Sequence, residues 1–455
     1  MADCPRGRVQ PPLAPIRPAF RPLVLQLVHA LLPLVLRWRL VRWLPAGISH
    51  LELENGAVLD GLLEQFRAGR CRLLLAFRHS AVDDPLCGLW LFSRGLPPAL
   101  RPQPVHFLYD RGMPLWAGRP LGWLLSALGG VSLRRGRQPD WSALRQAREL
   151  MRNGPFPFAV APEGATNGLG DRLGPLEPGS ARLALWCRDD LRRAGRREAV
   201  WIVPIGIHYR YPDAPWPRLE RLLTRLERRM GLDSAVPSPA AGADRLPLAP
   251  AQRCRRRLLR LGERLLSALE AFYARFGEAS GGSEAGGQAS CDARIDALRE
   301  RVLGLAEARL GVRAAGSAVD RCRRLEEVAW QWIHREDLPP RHRLTPLDRS
   351  LADEAAAEAA LALRHMRLVE TFVAVSAGYL EPDGGAPSFE RCADVALLIH
   401  DGLARISGGT LPPRPRLGWR HARLTVAEPI PVADGSPPVE ALTAQLEQRL
   451  RSCLP

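Results

Sequence analysis

The sequence has no lysine, so all 64 of its basic side chains are arginine. That excludes Schiff-base chemistry on a lysine amine and the phosphate-cradling lysine of a P-loop. There is no C-x-x-C pair either: nine cysteines, from Cys4 to Cys453, are scattered and odd in number. Such a pattern argues against a disulfide framework or a zinc ribbon and for a reducing compartment, with thiols acting as small apolar side chains. A long hydrophobic run is also missing. The most apolar stretch, Leu23 to Pro45, is broken by Gln26, His29 and Pro33; its apolar part is about 14 residues, short of the roughly 20 that span a bilayer. No small-residue cleavage site follows it, so a signal peptide is not expected. His334, His342, His365 and His400 show no metal-ligand spacing, and no metal or other cofactor is implied.

What is present points to an ordinary folded chain with an unusual charge. At 455 residues it can bury a large core in two domains, and 46% hydrophobic with 25% charged residues is typical of globular proteins. The net charge of +16 is not typical. It suits anionic lipid headgroups, phosphorylated substrates, an acidic protein or nucleic acid. Nucleic acid is the poorest fit, because no recognition module or aromatic stacking platform is evident. Residues 1–22 are rich in Pro and Arg and read as disordered. The stretch after them ends in Arg37, Trp38, Arg39, Arg42 and Trp43, which suits a headgroup layer with the leucine face in the acyl boundary. An amphipathic helix packed on its own domain has the same pattern.

The chemistry centres on LLLAFRHSAVDDPL, Leu73 to Leu86. Leu73 to Phe77 is a compact apolar run, too short for a helix, and reads as a buried strand. Asp84 before Pro85 reads as the N-cap of a helix continuing to about Arg94. His79 then falls in a strand-to-helix turn, where α/β enzymes place their reactive groups. A carboxylate beside an imidazole fixes its tautomer and suits it to general-base work near neutral pH.

The rest of the first half alternates. Ile48 to Leu53, Pro104 to Asp110, Val131 to Leu133, the run from Phe156 and Val200 to Tyr209 read as strands; Pro204 should lie at an edge or bulge. Helices are expected over Val58 to Phe66, before Gly129-Gly130, and over Trp141 to Met151 with Asp140 as N-cap. The pattern predicts an α/β fold with a mostly parallel central sheet and flanking helices. Arg134, Arg135 and Arg137 arrive together in a strand-to-helix loop, as a phosphate clamp or a solvated basic loop. Pro162-Glu163-Gly164 ends another strand, where a glycine lets backbone come close to a ligand. Between 213 and 417 the pattern is helical, with leucine stripes that read as core seams and a Gly/Ser/Ala linker from Glu278 to Ser290. No repeat of fixed period is evident.

In order, R-H-S-A-V-D-D, G-G-V-S-L-R-R, A-P-E-G-A-T-N and V-W-I-V-P-I resemble the motifs of the glycerolipid (lysophospholipid) acyltransferase family. The blocks match at His79 and Asp84, Gly129 and Arg135, Pro162 to Gly164, and Pro204; Gly179 and Ala184 match the family's glycine-led helix. The closing strand, R-L-T-V-A-E-P-I-P-V from Arg423, is also similar. The resemblance implies a discontinuous acyltransferase domain, 47–212 with 418–455, after a membrane-contacting segment 1–46 and around a helical insertion, 213–417. It implies His79 as base and Asp84 as its orienter. Arg135, Arg134 and Arg137 would hold an anionic acceptor head, with Glu163, Gly164 and Thr166 at the acceptor pocket. The implied donor is acyl carrier protein or acyl-CoA, and the implied place the cytoplasmic face of a membrane. Two positions depart from the pattern: Arg78 stands where the family has Asn, and Ala165-Thr166 where it has Thr-Arg. They leave open a non-phosphorylated acceptor, and a catalytically silent membrane-surface scaffold beside the enzyme.

Overall fold

The computed structural model describes residues 7–13, 15–41, 44–113, 117–134, 140–232, 248–276, 290–372, 376–381, 385–408 and 413–455. These fall into two compact units. One takes residues between 15 and 212 together with 418–455; the other takes 7–13 and 213–417.

The first unit is built on a sheet of eight strands, β1 (Ile48–Glu54), β2 (Cys71–Phe77), β3 (His106–Asp110), β4 (Gly130–Leu133), β5 (Phe158–Val160), β6 (Ala199–Arg210), β7 (Arg420–Val426) and β8 (Ile430–Pro431). Their order is β1-β7-β6-β2-β5-β3-β4, with β8 paired to β6. Every neighbouring pair is parallel except β7 and β8 against β6. Alternation along β2 feeds two cores. Leu73 and Leu75 join α1 (Pro22–Arg37) and α2 (Gly56–Arg67) on one face; Leu74 and Ala76 join α5 (Trp141–Asn153), α6 (Gly179–Arg193) and α13 (Val439–Arg451) on the other. With α3 (Asp84–Trp90), which runs into a π-helical turn at Leu91–Gly95, and α4 (Arg119–Ala127), this is a mostly parallel α/β sheet with flanking helices.

Two local expectations need correction, and the one for Pro204 resolves to its second alternative. Pro204 lies on an inner strand, opposite Ala76 of β2, and not at an edge. It faces the gap between β7 and β8, where the antiparallel ladder is interrupted; its carbonyl accepts from Ala427 N–H there at 3.0 Å, and the N–H that proline lacks falls in the same gap. Asp84 is the first residue of α3 and Asp83 precedes it; neither carboxylate caps the helix. The described part of 1–22 is ordered. Ile16 exchanges hydrogen bonds with the Ser132 hydroxyl, and Ala19 and Arg21 donate to the carbonyls of Ser126 and Ala127. An extended, Pro-rich segment thus runs beside β4, the end strand of the sheet, held by the Ser132 hydroxyl and by carbonyls at the end of α4.

Helix α1 divides its leucines. Leu25, Leu32 and Leu36 are buried, while Leu23, Leu27, Leu31 and Leu34 face outward, followed by exposed Trp38, Leu40 and Val41. Arg42 and Trp43 lie outside the described residues. Among the described residues, no helix is long and apolar enough to cross a membrane.

The second unit is helical: α7 (Trp216–Arg229), α8 (Pro250–Phe276), α9 (Cys291–Leu310), α10 (Ala318–Ile333), α11 (Pro346–Phe372) and α12 (Phe389–Ile406). Its leucine stripes are core, as Leu258, Leu261, Leu265 and Leu269 of α8 are buried. Buried Arg321 forks onto Glu307, with distances of 2.8 and 2.7 Å, and joins α10 to α9. His365 accepts or donates at 2.8 Å to the Tyr273 hydroxyl, and burial, then Arg309 and Arg364, push it down to about 4, which keeps it neutral. His334 bonds the Pro11 carbonyl at 2.8 Å, and Val9 N–H donates to Asp353 at 2.9 Å, tying 7–13 to the helices.

Candidate active site

The site forms where β2 stops. Phe77 is the last residue of the strand, and Arg78 to Ser80 make the turn into α3. The His79 side chain is 26% exposed and its Nδ1 lies 3.2 Å from Asp84 Oδ2, whose carboxylate is 3% exposed. Facing an acceptor, Nδ1 carries the hydrogen, so Nε2 keeps its lone pair. Asp84 is held at both oxygens: Ala81 N–H donates to Oδ2 at 2.8 Å and the Tyr209 hydroxyl donates to Oδ1 at 2.6 Å. A carboxylate accepting three hydrogen bonds is held in one orientation. Such a pair can take a proton from a hydroxyl at Nε2.

Glu163 sits behind the histidine. Buried, it accepts from His79 N–H at 2.8 Å through Oε1 and from Gly174 N–H at 2.8 Å through Oε2. Burial raises its pKa; the His79 and Gly174 amides pull the other way. Both oxygens are thus engaged by the protein, so Glu163 positions the His79 backbone and does not present a free carboxylate to a ligand. Gly164 turns the chain with φ +72°, a conformation glycine adopts without strain. Thr166 is exposed on the loop that follows.

Arg78 turns into the core. Its guanidinium is fully buried and donates to the carbonyls of Ile207 (2.8 Å), Leu169 (2.9 Å) and Arg172 (3.1 Å). His208 Nε2 lies 3.1 Å from Asp171 on the same loop, in a pair shielded from solvent. The loop after Glu163 is therefore locked to β6 by one guanidinium and one imidazole. Of the three arginines expected at an acceptor head, Arg134 is partly exposed at the end of β4, with its backbone N–H on Asp140 Oδ2 at 3.1 Å. Asp140 also caps α5 through Ala143 N–H at 3.1 Å and pairs with Arg111. Arg135 and Arg137 lie outside the described residues. Among the described residues no cluster of His, Cys, Asp or Glu is placed to hold a metal ion.

The histidine–aspartate pair thus stands at the carboxyl end of an inner parallel strand, the place where open α/β sheets bind ligands. Residues 63–208, which hold β2, α3, the Pro-Glu-Gly loop and most of β6, match the family model described as Acyltransferase. No curated protein matches the chain.

Proposed function

We propose that the α/β unit transfers a fatty acyl group from a thioester to a glycerolipid hydroxyl, with 1-acylglycerol-3-phosphate as the acceptor, in phospholipid biosynthesis at the cytoplasmic face of a membrane. The observation that carries this reading is the half-open His79 imidazole fixed by Asp84 inside the acyltransferase-matched segment. His79 Nε2 removes the hydroxyl proton as the oxygen attacks the thioester carbonyl. The tetrahedral adduct then expels the thiolate, which takes up a proton, and an ester remains. No acyl-enzyme is required. Arg134, with Arg135 and Arg137, would meet the acceptor's phosphate.

An anionic donor, acyl carrier protein or acyl-CoA, fits the helical unit. Arg218, Arg221, Arg225 and Arg228 recur along one face of α7 and, with Arg416, line a groove of about 540 Å³. Panels of acyl carrier protein and CoA thioesters against 1-acylglycerol-3-phosphate, lysophosphatidylcholine and monoacylglycerol test the reading. Ester formed on the phosphorylated acceptor supports it. Transfer only to monoacylglycerol, which the exposed Thr166 in place of an arginine favours, moves the acceptor to an uncharged lipid. No transfer with any pair leaves the silent scaffold.

The outward leucines of α1 support attachment to a lipid surface, with Leu23 78% and Leu27 59% exposed. Each leucine entering the acyl boundary contributes about 1.5–3 kcal/mol. Leu23→Glu with Leu27→Glu is expected to release the protein from vesicles containing phosphatidylglycerol in a sedimentation assay. Equal sedimentation of parent and variant would rule this helix out as the anchor.

A further inference from the structure

The proton-abstracting pair continues inward, through side chains from both sides of the helical insertion. Tyr209, on β6 and buried, gives its hydroxyl hydrogen to Asp84 Oδ1 at 2.6 Å, and the Cys87 thiol lies 3.3 Å from the Tyr209 hydroxyl oxygen. Over the Tyr209 ring lies the Arg420 guanidinium, 4.6 Å from its centroid. Arg420 is the first residue of β7, the strand that follows residues 213–417. Its guanidinium is itself anchored, donating to the Ala46 carbonyl at 3.0 Å and pairing with the fully buried Asp83.

Each contact restricts the next. The ion pair with Asp83 fixes the guanidinium, and its flat face fixes the ring, since a planar cation attracts the ring's negative face. The ring in turn aims the hydroxyl. Burial, with Asp84, Cys87 and Asp83 close by, holds the Tyr209 phenol well above its ordinary range, so it stays a donor throughout the neutral region. Asp84 is then unable to rotate away from His79, because turning the carboxylate breaks the bond at Oδ1 in a place water does not reach.

We infer that Tyr209 is a positioning residue for the His79–Asp84 pair, and that Arg420, brought back by the strand after the insertion, holds Tyr209 in register. Neither touches substrate; both act through Asp84. The sheet without β7 would carry His79 and Asp84 and yet lack the clamp behind them. This rests on His79 being the base.

The first variant is Tyr209→Phe, which keeps the ring under Arg420 and removes only the hydroxyl. Its kcat is expected to fall about tenfold or more with KM unchanged, because a buried, charged acceptor loses a donor. The direct readout needs no substrate: ¹⁵N signals of the His79 ring, identified by their loss in His79→Ala, report which nitrogen carries the hydrogen. In Tyr209→Phe the Nδ1–H signature weakens and the two tautomers mix. Arg420→Lys keeps a cation for Asp83 and loses the flat stack, and should show the same change to a smaller degree. Unchanged ring signals in a folded Tyr209→Phe protein overturn the inference whatever the activity. Signals that move while His79→Ala retains full activity support the coupling and overturn only the base assignment. An Arg420→Lys protein identical to the parent in both readouts removes Arg420 from the chain.

Discussion

His79→Ala is expected to lower acyl transfer by about 10²–10⁴-fold, the usual worth of a positioned general base. That is about 3–5 kcal/mol of barrier, so in an ordinary end-point assay the variant reads as inactive. Stability should change less, because the ring is 26% exposed and its one described side-chain partner is Asp84. The backbone N–H of residue 79, which Glu163 needs, is kept by alanine. Urea unfolding of parent and variant is expected to differ by at most about 1–3 kcal/mol, the cost of one donor lost from the buried Asp84, which keeps those from Ala81 and Tyr209. The sharper comparison is with Asp84→Asn. Asparagine has one oxygen: with that oxygen at the Oδ1 place it still accepts from Tyr209, and its amide nitrogen then meets the Ala81 and His79 donors with hydrogens of its own. The imidazole must then turn or change tautomer, which takes the lone pair from Nε2, so this variant should also be slow. Undiminished transfer by purified His79→Ala would end the mechanism; undiminished transfer by Asp84→Asn would remove only the orienting part.

The half of this site that could be read from the sequence is local. His79 and Asp84 are five residues apart, and a short apolar strand, a turn and a Pro-led helix were enough to place them together. The alternation of strands and helices likewise follows from period-2 and period-3.6 patterns, which need no knowledge of distant partners. What escaped is long-range. Tyr209 is 125 residues from Asp84, and in the sequence it is one more apolar-looking member of a buried strand. Arg420 lies 337 residues from Asp83, across the insertion. Neither has a spacing that marks it; a buried tyrosine signals only that its hydroxyl needs a partner somewhere. Glu163 was visible as a residue but not as a role, because its side chain answers to the amide of His79, 84 residues away. The N-terminal arm misled for a related reason. Its composition is that of a disordered segment, and its order comes from the carbonyls and the serine hydroxyl near β4 that it meets.

Arg78→Asn is expected to destabilise the α/β unit even though it installs the residue that glycerolipid acyltransferases commonly carry before the histidine. A fully buried arginine is an unusual tenant of a core, and here its two terminal nitrogens donate to the carbonyls of Ile207, Leu169 and Arg172. An asparagine amide is too short to reach all three. The Arg172 carbonyl keeps its bond from Asn167; each of the other two, left buried without a donor, costs about 1–3 kcal/mol, so the loss should be about 2 kcal/mol or more, less what an entering water recovers. Arg78→Met, similar in length and without donors, should cost at least as much and separates lost hydrogen bonds from lost volume. The effect should reach the chemistry as well. The loop that Arg78 pins, through residues 169 and 172, carries Gly174, and Gly174 shares the Glu163 carboxylate with His79. A loosened loop therefore frees the backbone under the base, and kcat should fall together with the urea midpoint. A variant with the parent's midpoint and rate would mean that this loop keeps its place without the guanidinium. The departure from the family pattern at position 78 would then be neutral, and not a compensation built into the loop beside it.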